Sequence, residues 1–98
     1  MIDNPPETLE DALCYLLDHT PREDQQIIAN CKTKDRCGVL CHHGFGTWVR
    51  NSFGLWGENK KLIKDLQKKS DRKFTVVGDD ACSIILDKLW ERLRGENE

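Results

Sequence analysis

Residues 41–56 read Cys-His-His-Gly-Phe-Gly-Thr-Trp-Val-Arg-Asn-Ser-Phe-Gly-Leu-Trp, and whether this glycine-rich stretch is a helix decides the fold. With the residues before it, Cys37, Leu40, Cys41, Phe45, Trp48 and Val49 recur at spacings of three and four, which predicts a helix from Cys37 to about Ser52. Gly38, Gly44 and Gly46 oppose it, since glycine costs up to about 1 kcal/mol relative to alanine inside a helix. Such a helix needs its small residues for close approach to a neighbour, and the alternative is a break at Gly44–Gly46. Gly54 is placed as a left-handed C-terminal cap, with Leu55 and Trp56 folding back onto the helix just ended.

The segments on either side are helical too. After Pro5 and Pro6, Thr8-Leu9-Glu10-Asp11 is a hydroxyl cap with an acid three residues on, and Leu9, Ala12, Leu13, Leu16 and Leu17 form one apolar stripe. Thr20-Pro21-Arg22-Glu23 starts a short helix running to about Asn30, with Thr20 as its cap and Ile27 and Ile28 as its only large apolar residues. Downstream, Asn59 caps a helix through Lys69 with Leu62, Ile63 and Leu66 inward and five lysines outward. Phe74-Thr75-Val76-Val77 is a lone strand-like run, read as an extended connector unless a second chain supplies an edge. Asp79 or Asp80 then caps a last helix ending before Gly95, with Ala81, Ile84, Ile85, Leu89, Trp90 and Leu93 on its apolar face.

The expectation is therefore an all-α protein. It is a compact bundle of four to five short helices around Leu13, Leu17, Phe45, Trp48, Leu62, Leu66, Ile85, Leu89 and Trp90, with one extended segment near 74–77. Ninety-eight residues make one domain. Its expected limits are a flexible leader over 1–7, a helical domain over 8–94 and a disordered tail over 95–98. No apolar run approaches the roughly 20 residues of a membrane span. The acidic start lacks the basic and then apolar order of a secretory signal, so the expected location is the cytoplasm. Five cysteines in a reducing compartment are read as thiols, not as a disulfide framework.

Charge is blocked along the chain. Residues 1–30 carry seven acids and one base (net −6), residues 31–77 eleven bases and four acids (net +7), and residues 78–98 six acids and three bases (net −3). The favoured reading is that the blocks face one another or solvate the fold. The sharper one is a charged docking surface.

His42, Gly44, Gly46, Trp48-Val49-Arg50-Asn51 and Gly54-Leu55-Trp56, followed by Asp79-Asp80 and Ile84-Ile85-Leu86, form an ordered pattern across about half the chain. It resembles the signature of a small bacterial and phage-associated family of unknown function. The resemblance implies a small helical domain and nothing catalytic. Two positions depart from that family: Val77-Gly78 stands where it usually has His-Pro, and His43 where it has an aromatic or apolar residue.

Several clusters are candidates for chemistry. Cys31, Cys37, Cys41 and His43 are the residue types that tetrahedral zinc takes, but their spacing lacks the paired Cys-x2-Cys knuckle, so packed thiols are favoured over a metal. Cysteine catalysis by Cys37 or Cys41 with His42 or His43 lacks an orienting third group, and no catalytic residue is assigned. Asp79-Asp80 reads as a helix cap and first-turn charge. Arg50 is expected either to pair with an acid of the first or last helix or, flanked by aromatics, to grip a partner, and Asn51 to bond the last carbonyls of its helix.

Arg50, Asn51, Trp56 and His43 are thus the candidate partner-binding residues, and Lys60, Lys64 and Lys68 the candidate phosphate contacts. With a sequence pI of about 5.9, nucleic acid is disfavoured as a ligand. The reading carried forward is a non-enzymatic cytosolic module that needs no cofactor and docks on another protein, one concrete form being a phage-encoded inhibitor of a host defence protein. The alternatives are a nucleotide or nucleic-acid binder using Arg50 and the lysine helix, and a zinc-stabilised domain.

Overall fold

Thr8 begins the fold. Its Oγ1 accepts from the Asp11 amide at 3.1 Å, and helix α1 runs over Leu9–His19. The computed structural model describes residues 2–31, 44–70 and 76–96, which form α1, α2 (Arg22–Ala29), α3 (Phe45–Phe53), α4 (Lys60–Lys69) and α5 (Asp79–Glu96), with no strand among them. The protein is an all-α bundle. Helix α5 is its centre and packs against each of the other four, while α1 also touches α4. Leu13, Leu16, Val49, Phe53, Leu55, Leu62, Leu66, Ile85 and Leu89 fill the space between them. Burial of one such side chain contributes about 1.5–3 kcal/mol.

Local chemistry explains most boundaries. Asn59 caps α4 by accepting from the Leu62 amide at 3.2 Å, and its buried amide nitrogen donates to the carbonyls of Pro6 and Phe53 at 2.8 and 2.9 Å. One side chain thus joins a helix start, a helix end and the leader. Gly54 ends α3 at φ 67°, and the Leu55 amide reaches back to the Arg50 carbonyl at 3.1 Å, the long bond of a glycine-terminated helix end. At the far end of α2, Trp90 Nε1 donates to the Cys31 carbonyl at 2.9 Å and Arg94 to the carbonyls of Ala29 and Cys31, so α5 satisfies acceptors that a helix end leaves open.

Two acids tie α1 into the bundle. Asp65 of α4 accepts from the Leu9 amide at 2.7 Å, and Glu10 accepts both arms of the Arg92 guanidinium at 2.8 and 2.9 Å. Partial desolvation pushes the Asp65 carboxyl up, but hydrogen bonds from Lys69 and the Leu9 amide and the charges of Lys69 and Lys68 outweigh it, so its pKa lies below the ordinary value. The Arg92 hydrogen bond likewise lowers that of Glu10.

Several expectations are corrected. Thr20 does not cap α2: it is the C-cap of α1, its buried Oγ1 has no hydrogen-bond partner among the described residues, and Gln25 instead donates to the Thr20 and Leu17 carbonyls. Only Ile28 of the isoleucine pair is buried; Ile27 is exposed. Helix α3 starts at Phe45 with Gly44 as its N-cap residue, as in the alternative with a break at the glycines, and the expected stretch from Cys37 to His43 lies outside the described residues.

The buried face of α3 also differs from the expected stripe: Gly46, Val49, Arg50, Ser52 and Phe53 are buried, and Phe45 is partly buried against the core. Trp48, expected in the core, is 38% exposed. The inward position is taken instead by the buried Gly46, whose carbonyl accepts from the buried Cys82 thiol of α5 at 3.6 Å.

In the leader the Ile2 amide donates to the Ser52 carbonyl at 2.9 Å, and Pro6 is buried. Of the expected extended segment, Phe74 and Thr75 lie outside the described residues. Val76 is fully buried and its amide donates to the Gln67 side chain at 2.8 Å. Helix α5 continues through Gly95 to Glu96, two residues into the expected tail, whose last two residues lie outside the described set.

Candidate partner-binding site

The inward turn of Arg50 organises the surface at the end of α3. Its side chain, only 11% exposed, runs from the core face of α3 to Asp79, the first residue of α5, with Nη1 3.1 Å from Oδ1. Nη2 donates to Thr47 Oγ1 one turn earlier at 2.9 Å, so the guanidinium spans two helices. Arg50 thus makes the ion pair expected with an acid of the last helix.

Trp56 stands beside this pair. The Arg50 guanidinium carbon lies 5.9 Å from the centre of its ring, within cation–π range. The ring rests on Gly78: a Cβ built there would fall 2.6 Å from Cε3, closer than real Cβ contacts approach. Gly78 has φ 58°, a left-handed conformation that glycine adopts without steric cost, and its amide donates to the Leu55 carbonyl at 2.6 Å. The connector and the turn after α3 are thereby locked together. Although supported in this way, the indole is 55% exposed. Leu55 folds back as expected, while Trp56 is held outward.

Asn51 is exposed, and its side chain makes no hydrogen bond to the helix end among the described residues. His43, Cys37, Cys41 and His42 lie outside those residues. Cys31 is buried with its thiol donating to the Ile27 carbonyl at 3.3 Å, and no group of three metal-ligating side chains occurs among the described residues. Lys60, Lys64 and Lys68 line the outer face of α4 and form no ion pair among the described residues, whereas Lys61 and Lys69 meet Glu7 and Asp65.

Two surfaces were not foreseen from the sequence. Tyr15 stacks on His19 at 3.9 Å, sets its edge against Phe53, and lies 6.3 Å from Trp48, which in turn neighbours Phe45. An aromatic row on α1 and α3 explains where Trp48 goes when it leaves the core. An open groove of about 720 Å³ is lined by residues of the leader, α1 and the start of α4, Pro6, Asp11, Tyr15 and Lys60 among them. The sequence reading places Phe45 and Trp48 in the core and gives Tyr15, which joins the row and the groove, no role.

No helix among the described residues is long and apolar enough to cross a membrane. The family model described as "Domain of unknown function (DUF6794)" matches residues 5–93, a span that holds all five helices apart from the last three residues of α5, together with Arg50, Trp56, Gly78 and Asp79. No curated protein and no solved structure matches the chain. The chain therefore belongs to the DUF6794 family, a domain of unknown function.

Proposed function

We propose that the chain is a non-enzymatic, cytosolic protein-interaction module whose principal contact is Trp56. The observation that supports this is the combination of exposure and support: an indole more than half in solvent, yet fixed by Gly78 and the Arg50–Asp79 pair. A free surface tryptophan loses rotamer freedom on binding; one already held does not, and tryptophan is enriched among residues that dominate interface energies. In this reading Arg50 positions the anchor, and Asn51 and His43 are candidate neighbours in the contact. A phage-encoded inhibitor of a host defence protein is one form such a module takes.

A second reading draws on the lysine stripe. Lys60, Lys64 and Lys68 are spaced by one turn each, about 6 Å along the axis, and unpaired lysines at that interval suit a phosphate backbone. Arg50, the other residue of that reading, is committed to Asp79 and Thr47. A zinc-stabilised domain through Cys31, Cys37, Cys41 and His43 would show in native mass spectrometry as a mass excess removed by chelator.

The test is quantitative capture from the source cell. A partner retained by the native chain and by Lys64→Ala, and released by Trp56→Ala with the helical circular dichroism unchanged, supports the proposal. Retention by Trp56→Ala, or recovery of nucleic acid lost with Lys64→Ala, contradicts it.

A further inference from the structure

The contact just proposed has a chemistry. We propose that Trp56 and Asp79 together receive an arginine side chain presented by the protein partner; the inference rests on Trp56 being the contact and adds what it recognises.

Asp79 follows Gly78, on which the indole rests, and holds the Arg50 guanidinium that lies beside the ring, so its carboxylate borders the same patch. Oδ1 is taken by Arg50, yet the side chain is 64% exposed, and no further partner of its carboxylate is present among the described residues. A partner that covers Trp56 also takes this carboxylate out of water. Desolvating a charge without replacing its hydrogen bonds is unfavourable, so the occupant must bring donors as well as apolar surface.

Arginine meets both demands. Its flat guanidinium stacks on an indole and donates to a carboxylate at the same time, which lysine does less completely. The other occupants fit worse. A purely apolar side chain leaves Asp79 unsatisfied. An acidic one meets the Asp79 charge and the exposed Glu58 two residues beyond Trp56, while Arg50, the cation found beside the ring among the described residues, is mostly buried and already paired. A phosphate meets the same obstacle, with Asp79 and Asp80 occupying the first turn of α5 where a helix end would otherwise attract an anion.

The pair Arg50–Asp79 therefore has two consequences. It neutralises the resident cation near the indole, and it presents the remaining carboxylate oxygen to a second one.

The test uses the intact chain, labelled with nitrogen-15, and three blocked tetrapeptides with glycine at each end and two central arginines, leucines or glutamates. The arginine peptide should move the Trp56 indole and Asp79 amide resonances saturably. The movement at the Asp79 amide should weaken by about fivefold in Trp56→Leu, with the dispersion of the other resonances unchanged. Asp79→Asn, which keeps an oxygen for Arg50 but removes the charge, should weaken the movement at the Trp56 indole in the same way. Equal or larger shifts with the leucine or glutamate peptide would overturn the arginine inference and leave Trp56 as a contact. Arginine-peptide shifts confined to the acidic residues of α1 and α2 would overturn it too. A Trp56 indole unmoved by all three peptides would overturn it as well, and retention of the captured partner by Trp56→Ala would then separately dismiss the contact itself.

Discussion

Arg50 and Asp79 are 3.1 Å apart and unequally exposed, the guanidinium 11% and the carboxylate 64%. Their removal is therefore not symmetric. Asp79→Ala leaves a mostly buried cation without its counter-charge, whereas Arg50→Leu leaves an acid in water and an apolar side chain on the core face of α3. Chemical denaturation should show Asp79→Ala costing about 1–2 kcal/mol and Arg50→Leu less. The double variant should show a coupling of no more than about 1 kcal/mol, since solvent screens the exposed partner. A larger loss in Arg50→Leu would contradict this account of the pair.

Gly78 supports Trp56 through shape. Gly78→Ala adds a Cβ that collides with the indole and places it at φ 58°. The expected loss is about 1–3 kcal/mol, with a change in tryptophan emission as the ring is displaced. Combining it with Trp56→Leu should recover the steric part and leave only the backbone cost, about 1 kcal/mol. Losses that simply add would show that the two residues do not touch.

Asn59 uses both ends of its amide. Asn59→Asp keeps an acceptor for the Leu62 amide but turns a carboxylate oxygen toward the Pro6 and Phe53 carbonyls. At neutral pH it should destabilise by at least as much as Asn59→Ala, each by about 2–3 kcal/mol. The aspartate variant should regain part of this loss in acid, where the protonated carboxyl can donate again. A near-neutral Asn59→Asp would mean that the cap alone matters.

The sequence expectations held at three local caps, failed at Thr20, and failed where a small or charged residue took a core position. Thr8, Asn59 and Gly54 act as their residue types suggest, because a cap is decided within four residues. The inward place of Gly46 and Arg50 in α3 was not legible, since an apolar stripe counts neither as a core residue. Both belong there only because α5 supplies Cys82 against the glycine and Asp79 to the guanidinium, partners more than 25 residues away. Trp56 was singled out, but the support under it was not, because Gly78 reads as part of a connector until the fold sets it against the ring.

Acid should loosen the attachment of α1. Both Asp65 and Glu10 have pKa values lowered in the folded chain, below ordinary values of 3.8 and 4.5. A lowered acid stabilises the fold in full above its ordinary value, and that contribution is lost as pH falls through the folded one. The thermal midpoint should be level near neutrality and fall as pH drops below about 4.5, and Asp65→Asn should make the fall shallower. An identical acid profile in Asp65→Asn would exclude this carboxylate as a cause.

The central claim is that the chain meets its partner through Trp56. The most direct measurement replaces Trp56, Trp48 or Lys64 in turn by a photoreactive benzoylphenylalanine and irradiates the source cells. A discrete protein adduct from position 56, with little or none from positions 48 and 64, is the predicted result. Adducts from position 48 or 64 with none from position 56 would contradict the account.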